Sequence, residues 1–165
     1  MRAGPFENQG DFLINISTYL GNPDSGFVEI SEVPSYEGDS FYVEGAMELT
    51  VNGVQLIDQS MWDYIDQLWS YLVQLVIKAK ASGSAEVLFP DQVIYLNIDR
   101  VGECDCLVRS RCGEDKRAAR VSVVELSDAV AQAAEHFFDS MISLIPEERK
   151  GYEHELRKVE ALRHQ

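Results

Sequence analysis

The stretch from Ser60 to Ser82, S-M-W-D-Y-I-D-Q-L-W-S-Y-L-V-Q-L-V-I-K-A-K-A-S, constrains this chain more than any other. Met61, Ile65, Leu68, Trp69, Leu72, Val76 and Ala79 recur at steps of three or four, the period of one helical face. Ser60 is placed to cap the first turn, with Asp63 standing where a capping box has its acid. Asp63 and Asp66 fall near the positive end of the helix dipole, and Lys78 and Lys80 near the negative end. Gly83 suits a left-handed C-terminal stop. Both tryptophans of the chain, Trp62 and Trp69, belong to this segment.

The segments around it read as strands. Phe12 to Ser17 places Phe12, Ile14 and Ile16 on one face. After the Gly21 to Gly26 turn, Phe27 to Val33 is expected to turn Val28 and Ile30 inward and Glu29 outward. In Phe41 to Val51, Val43, Met47, Leu49 and Val51 alternate with Tyr42, Glu44, Glu48 and Thr50. Asn52-Gly53 is a type I′ hairpin signal, with Val54 to Ile57 returning. Beyond Gly83, Glu86 to Phe89 and Gln92 to Asp99 are strands, the second with Ile94, Leu96 and Ile98 inside. Cys104 to Arg111 and Arg117 to Val124 form a hairpin around Gly113-Glu114-Asp115. Ser127 opens a second helix reaching Leu144, and Pro146 a third reaching Arg163. The expected fold is therefore α+β in one domain spanning residues 1–165, with 1–11 loose. A largely antiparallel sheet of six to seven strands would carry the long helix and the two C-terminal helices on one face.

Charge narrows the function classes. Net charge is −14, and no Lys or Arg occurs between Arg2 and Lys78. That interval holds Glu7, Asp11, Asp24, Glu29, Glu32, Glu37, Asp39, Glu44, Glu48, Asp58, Asp63 and Asp66. Such a field repels nucleic acid and anionic membranes and attracts basic partners. No apolar run reaches the ~18 residues of a membrane span, and the first residues lack a signal-peptide core, so a cytoplasmic location is expected. An odd set of three cysteines fits a reduced compartment.

No catalytic signature is present. Cys104, Cys106 and Cys112 give C-x-C-x5-C, one donor short of a zinc site and without a nearby His, so core packing is the expectation and no metal or cofactor is assigned. His136, His154 and His164 are scattered, and Glu135-His136 with Asp139 is a weak arrangement. Nucleophile elbows, P-loops and dinucleotide fingerprints are missing. The outer sheet face is the more informative surface: Glu29, Tyr42, Glu44, Glu48, Tyr95, Asn97 and Asp99 are expected to share it. Glu37 and Asp39 in the Pro34 to Ser40 loop, and Asp58, Asp63 and Asp66 at the start of the long helix, would extend the acidic field. An acidic face with tyrosines suits a basic partner, and it equally suits plain solvation.

The run F-Y-V-E-G-A-M-E-L-T-V-N-G-V-Q-L-I-D followed by W-D-Y-I-D-Q-L-W-S-Y-L resembles small acidic immunity proteins of bacterial polymorphic-toxin systems, contact-dependent or type VI-secreted. E-V-L-F-P-D-Q and H-F-F-D-S-M-I-S-L-I-P-E extend the resemblance over Phe41 to Leu162. These are strand, helix and core patterns, so no binding residue is carried over. The resemblance implies a non-enzymatic protein that binds and neutralises a cognate toxin with a basic surface. A homodimer stays open. So do three other readings: an adaptor or chaperone for a secreted effector, docking through Tyr152 to Leu162; an enzyme with no legible motif; and a nucleic-acid mimic.

Overall fold

The computed structural model describes residues 13–163. Phe12, the segment predicted to be loose and His164 lie outside them. Nine strands and three helices follow one another: β1 (Ile14–Asn22), β2 (Gly26–Glu29), β3 (Glu44–Val51), β4 (Val54–Ile57), β5 (Asp63–Tyr64), α1 (Ile65–Ser82), β6 (Ser84–Leu88), β7 (Tyr95–Val101), β8 (Asp105–Cys112), β9 (Asp115–Ser122), α2 (Val123–Leu144) and α3 (Arg149–Arg163). The α+β class holds, but the strands make two antiparallel sheets instead of one. The first has the order β2-β1-β3-β4 with β5 added to β3, and the second β6-β7-β8-β9.

The reason for the split lies where β4 and β9 come together. There side chains replace a backbone ladder. Arg117 donates to the Gln55 carbonyl at 2.9 Å and to Asp58 at 2.9 Å, and the Asn52 amide donates to the Arg120 carbonyl. The ladder itself is sharply specified elsewhere. Asn52 (φ 49°) and Gly53 (φ 84°) both take the left-handed geometry that a type I′ turn requires, which fixes the β3–β4 register. In β3, Met47, Leu49 and Val51 are buried, as their alternation predicts, and so is Val43 just before it. In the second sheet Leu96 and Ile98 are buried, with Ile94 preceding them. Val28 is the exception. It is 46% exposed on the edge strand β2, whereas Ile30, also expected inside, is buried in a 3-10 turn at Ile30–Glu32.

The long helix starts later than its periodicity suggests. Gln59–Met61 is a 3-10 turn capped by Asp58, whose carboxylate accepts from the Ser60 N–H at 2.9 Å. Asp63–Tyr64 then pairs with β3, and α1 begins at Ile65 without a side-chain cap. The Ser60–Asp63 capping box is therefore absent. Asp63, 3% exposed, instead accepts N–H bonds from Asp91 and Gln92 and pins the β6–β7 loop. The other end matches expectation: Gly83 (φ 90°) closes the helix, its N–H on the Ala79 carbonyl at 2.8 Å. The second helix opens at Val123, before the expected Ser127, because Ser122 accepts from the Glu125 N–H and caps it.

The helices meet in an aromatic column. Trp69 is fully buried, stacks on Phe137 at 6.0 Å between ring centroids, and donates from Nε1 to Thr18 Oγ1 at 3.0 Å. Phe137 meets Phe138 edge-on at 5.1 Å, and Phe138 packs on Tyr152 at 6.0 Å. Leu68, Leu72, Val73 and Val76 complete the stripe of α1. Each such side chain contributes about 1.5–3 kcal/mol on burial. Native stability as a whole is about 5–15 kcal/mol, so one charge in this stripe exceeds what the fold tolerates. Leu72→Asp is accordingly expected to abolish cooperative folding in a circular-dichroism melt. A soluble Leu72→Asp protein with a sharp transition would show that α1 does not hold the fold together.

Candidate functional site

The acidic first half of the chain closes on itself at one end of the first sheet. The β1–β2 turn, the 33–42 loop and the β3–β5 end surround a cavity of about 750 Å³. Its floor is apolar: Leu20, Val28, Val33 and Pro34. Tyr36, Tyr42 and Tyr64 supply ring surface, with Tyr42 and Tyr64 tilted together at 5.4 Å. Glu37, Asp39 and Glu44 supply carboxylates, and among the described residues no Lys or Arg lines the cavity.

Local hydrogen bonds shape the loop. The Tyr36 hydroxyl donates to the Asp39 carbonyl at 2.7 Å, and the Phe41 N–H donates to the Asp39 carboxylate at 2.9 Å. Gly38 permits this fold-back, since a Cβ there would lie 2.7 Å from the Tyr36 hydroxyl oxygen. Glu44 is held by the Asn22 amide at 2.9 Å. Tyr42 and the adjacent Phe41 stay 57% and 72% exposed, a large aromatic surface next to carboxylates that have no ion-pair partner among the described residues. The field of the site is negative: Tyr36 and Tyr64 are both pushed above the ordinary phenol range, first by desolvation, then by the charges of Asp39 and Asp91 respectively and by Glu44.

Of the residues singled out in the sequence, Glu37, Asp39, Tyr42 and Glu44 come together here. Glu29 and Glu48 lie on the neighbouring strands of the same sheet face, where the Tyr19 hydroxyl donates to Glu48 at 2.7 Å. The expected single face is broken at this point. Tyr95, Asn97 and Asp99 belong to the second sheet, where Arg111 lies over the Tyr95 ring at 4.1 Å and Arg109 pairs with Asp99. Asp99 is held below the usual carboxylate range, mainly by the Ser84 hydroxyl and also by Arg109. Asp58 is half-buried in the seam. Desolvation opposes its charge, but bonds from Ser60 and Arg117 outweigh this and lower its pKa. Asp63 is interior and offers no contact surface. Tyr64 is visible in the sequence as an aromatic flanking the long-helix stripe, with core packing the favoured reading, whereas Tyr36 lies on no regular alternation. The placement of Tyr36 one residue before Glu37 was the only local hint.

The other candidates resolve into structure. All three cysteines are free, but core packing holds only for Cys106, whose thiol is pushed up to about 11 by desolvation; Cys104 is exposed in the turn before β8 and Cys112 is half-buried. Glu135 pairs with Arg163, while His136 Nε2 lies 2.9 Å from Ser31 Oγ. The apolar stripe of α3 is spent inside, with Tyr152, Val159 and Leu162 buried. No helix among the described residues is long and apolar enough to cross a membrane.

Asp66 gives a pH test. Burial raises its pKa, and this outweighs the hydrogen bonds from the Tyr152 hydroxyl (3.0 Å) and the Gln67 N–H. A carboxyl with a raised folded pKa stabilises the fold fully below the unfolded value and loses that contribution as pH rises through the folded value. Asp66→Asn should therefore raise the melting temperature more at pH 7 than at pH 3. An equal effect at both pH values would remove the buried charge as the cause.

No family model matches the chain, and comparisons with curated proteins and with solved structures give no match.

Proposed function

We propose that the protein is a non-enzymatic immunity protein, which binds a cognate secreted toxin and neutralises it inside the producing bacterial cell. One observation carries this reading: a roomy cavity walled by three tyrosines and three carboxylates, with no cation in its lining among the described residues. An arginine or lysine entering it meets ring faces, an apolar floor and negative charge at once, the combination found at protein-interface anchors. Glu29 and Glu48 widen the negative field on the same face. A toxin acting on nucleic acid carries a basic cleft, and an acidic protein of net charge −14 suits it by steering as well as by contact. The adaptor reading is weaker, because the α3 stripe that would dock an effector is already buried.

The direct experiment is capture from the native host with the purified protein as bait, followed by identification of what is bound. A basic toxin domain is the expected catch; recovery of nothing above a control bait would sink the proposal. With the toxin in hand, Glu44→Lys/Glu48→Lys should weaken binding by at least about tenfold, since charge-assisted contacts contribute about 1.5–3 kcal/mol each. Unchanged affinity of a folded double variant removes this face from the interface. The association rate should also fall steeply with added salt, as steered encounters do. A flat salt profile in stopped flow contradicts the electrostatic part of the reading.

A further inference from the structure

The outer face of the second sheet carries a feature that the acidic end does not explain. Register aligns Leu88, Tyr95, Arg111 and Lys116 in one row across four strands, and Glu86, Asn97, Arg109 and Ala118 in the next. Arg111 and Lys116 are thus directly opposite, two cations side by side on antiparallel strands. Such a like-charge pair destabilises a sheet. It stands in a chain with 28 Asp and Glu, yet among the described residues neither cation has a carboxylate within ion-pair distance.

The two arginines of these rows are restrained by their neighbours. The Arg111 guanidinium carbon lies 4.1 Å from the centroid of the Tyr95 ring, a cation–π contact that restrains the side chain. Arg109 is tied to Asn97 Oδ1 at 3.1 Å and to Asp99, leaving further N–H groups free. Ala118 sits opposite Arg109, and its small side chain leaves a hollow between the long ones. The resulting cavity measures about 540 Å³ and is lined by Tyr95, Asn97, Arg109, Arg111, Lys116 and Ala118. Ser110 lies between Arg109 and Arg111 in sequence, so its buried hydroxyl belongs to the opposite sheet face.

We propose that this hollow is a binding site for a small oxyanion-bearing molecule, its phosphate or carboxylate group seated between Arg111 and Lys116. The bound anion would relieve the repulsion between the two cations. Preoriented guanidinium groups suit the planar, forked geometry of such a group. Size and surroundings select against a polyanion: Glu86 and Asp99 line the same hollow, and the whole molecule carries −14. The site is independent of the acidic cavity and of the immunity reading.

Amide chemical-shift titrations with inorganic phosphate, acetate and a hexathymidylate strand test this. Saturable shifts with phosphate or acetate, confined to β7, β8 and β9, are expected. The more strongly bound of the two identifies the anionic group. Arg111→Gln/Lys116→Gln should weaken that binding about tenfold or more. Lys116→Glu should abolish it while leaving the melting temperature equal or higher, because the new carboxylate neutralises Arg111 in place of a ligand. No saturable shift with either small anion, or a response that persists in Lys116→Glu, overturns the site. Tighter binding of the oligonucleotide than of phosphate overturns its restriction to small molecules.

Discussion

The indole of Trp69 is the contact on which the other elements depend. Its N–H satisfies Thr18 in β1, while its ring stacks on Phe137 of α2. Through Phe138 and Tyr152 the same column reaches α3, and the Tyr152 hydroxyl returns to Asp66 at the start of α1. One helix is thereby fixed to a sheet and to both other helices by one continuous set of rings. A buried indole N–H left unpaired costs free energy, so the Thr18 hydroxyl specifies how the first sheet lies on the helix as well as adding to stability.

This arrangement explains what was legible in the sequence. The stripe of α1, the Asn52-Gly53 turn, the Gly83 stop and the alternation of Met47, Leu49 and Val51 are all local signals, and the structure follows each of them. The division into two sheets was not legible, because it rests on Arg117 reaching Gln55 and Asp58 across more than fifty residues. The start of α1 departs from its sequence periodicity for a related reason. Asp63 has the spacing of a helix cap, but the loop at Asp91 and Gln92, distant in sequence, takes up its oxygens.

The site shows the same boundary. Acidic content and the loop residues Glu37 and Asp39 pointed to the right end of the molecule. The cavity itself depends on the β1–β2 turn and on Tyr64 arriving beside Tyr42. The cationic hollow was hidden behind the overall charge. Arg109, Arg111 and Lys116 stand close in sequence to Glu114 and Asp115, so composition averages them away, whereas register separates them onto one face.

The seam between β4 and β9 has a mechanical consequence. Backbone ladders share load along many parallel bonds, but at the facing strands β4 and β9 the hydrogen bonds come from two side chains, Arg117 and Asn52, and the rest of the joint is the common hydrophobic core. The cavity with its carboxylates rides on one sheet and the cationic hollow on the other. Substitution at these two positions would remove polar links across the seam but leave the hydrophobic core that both sheets share, so packing on that core keeps the negative and the positive surface in fixed relation.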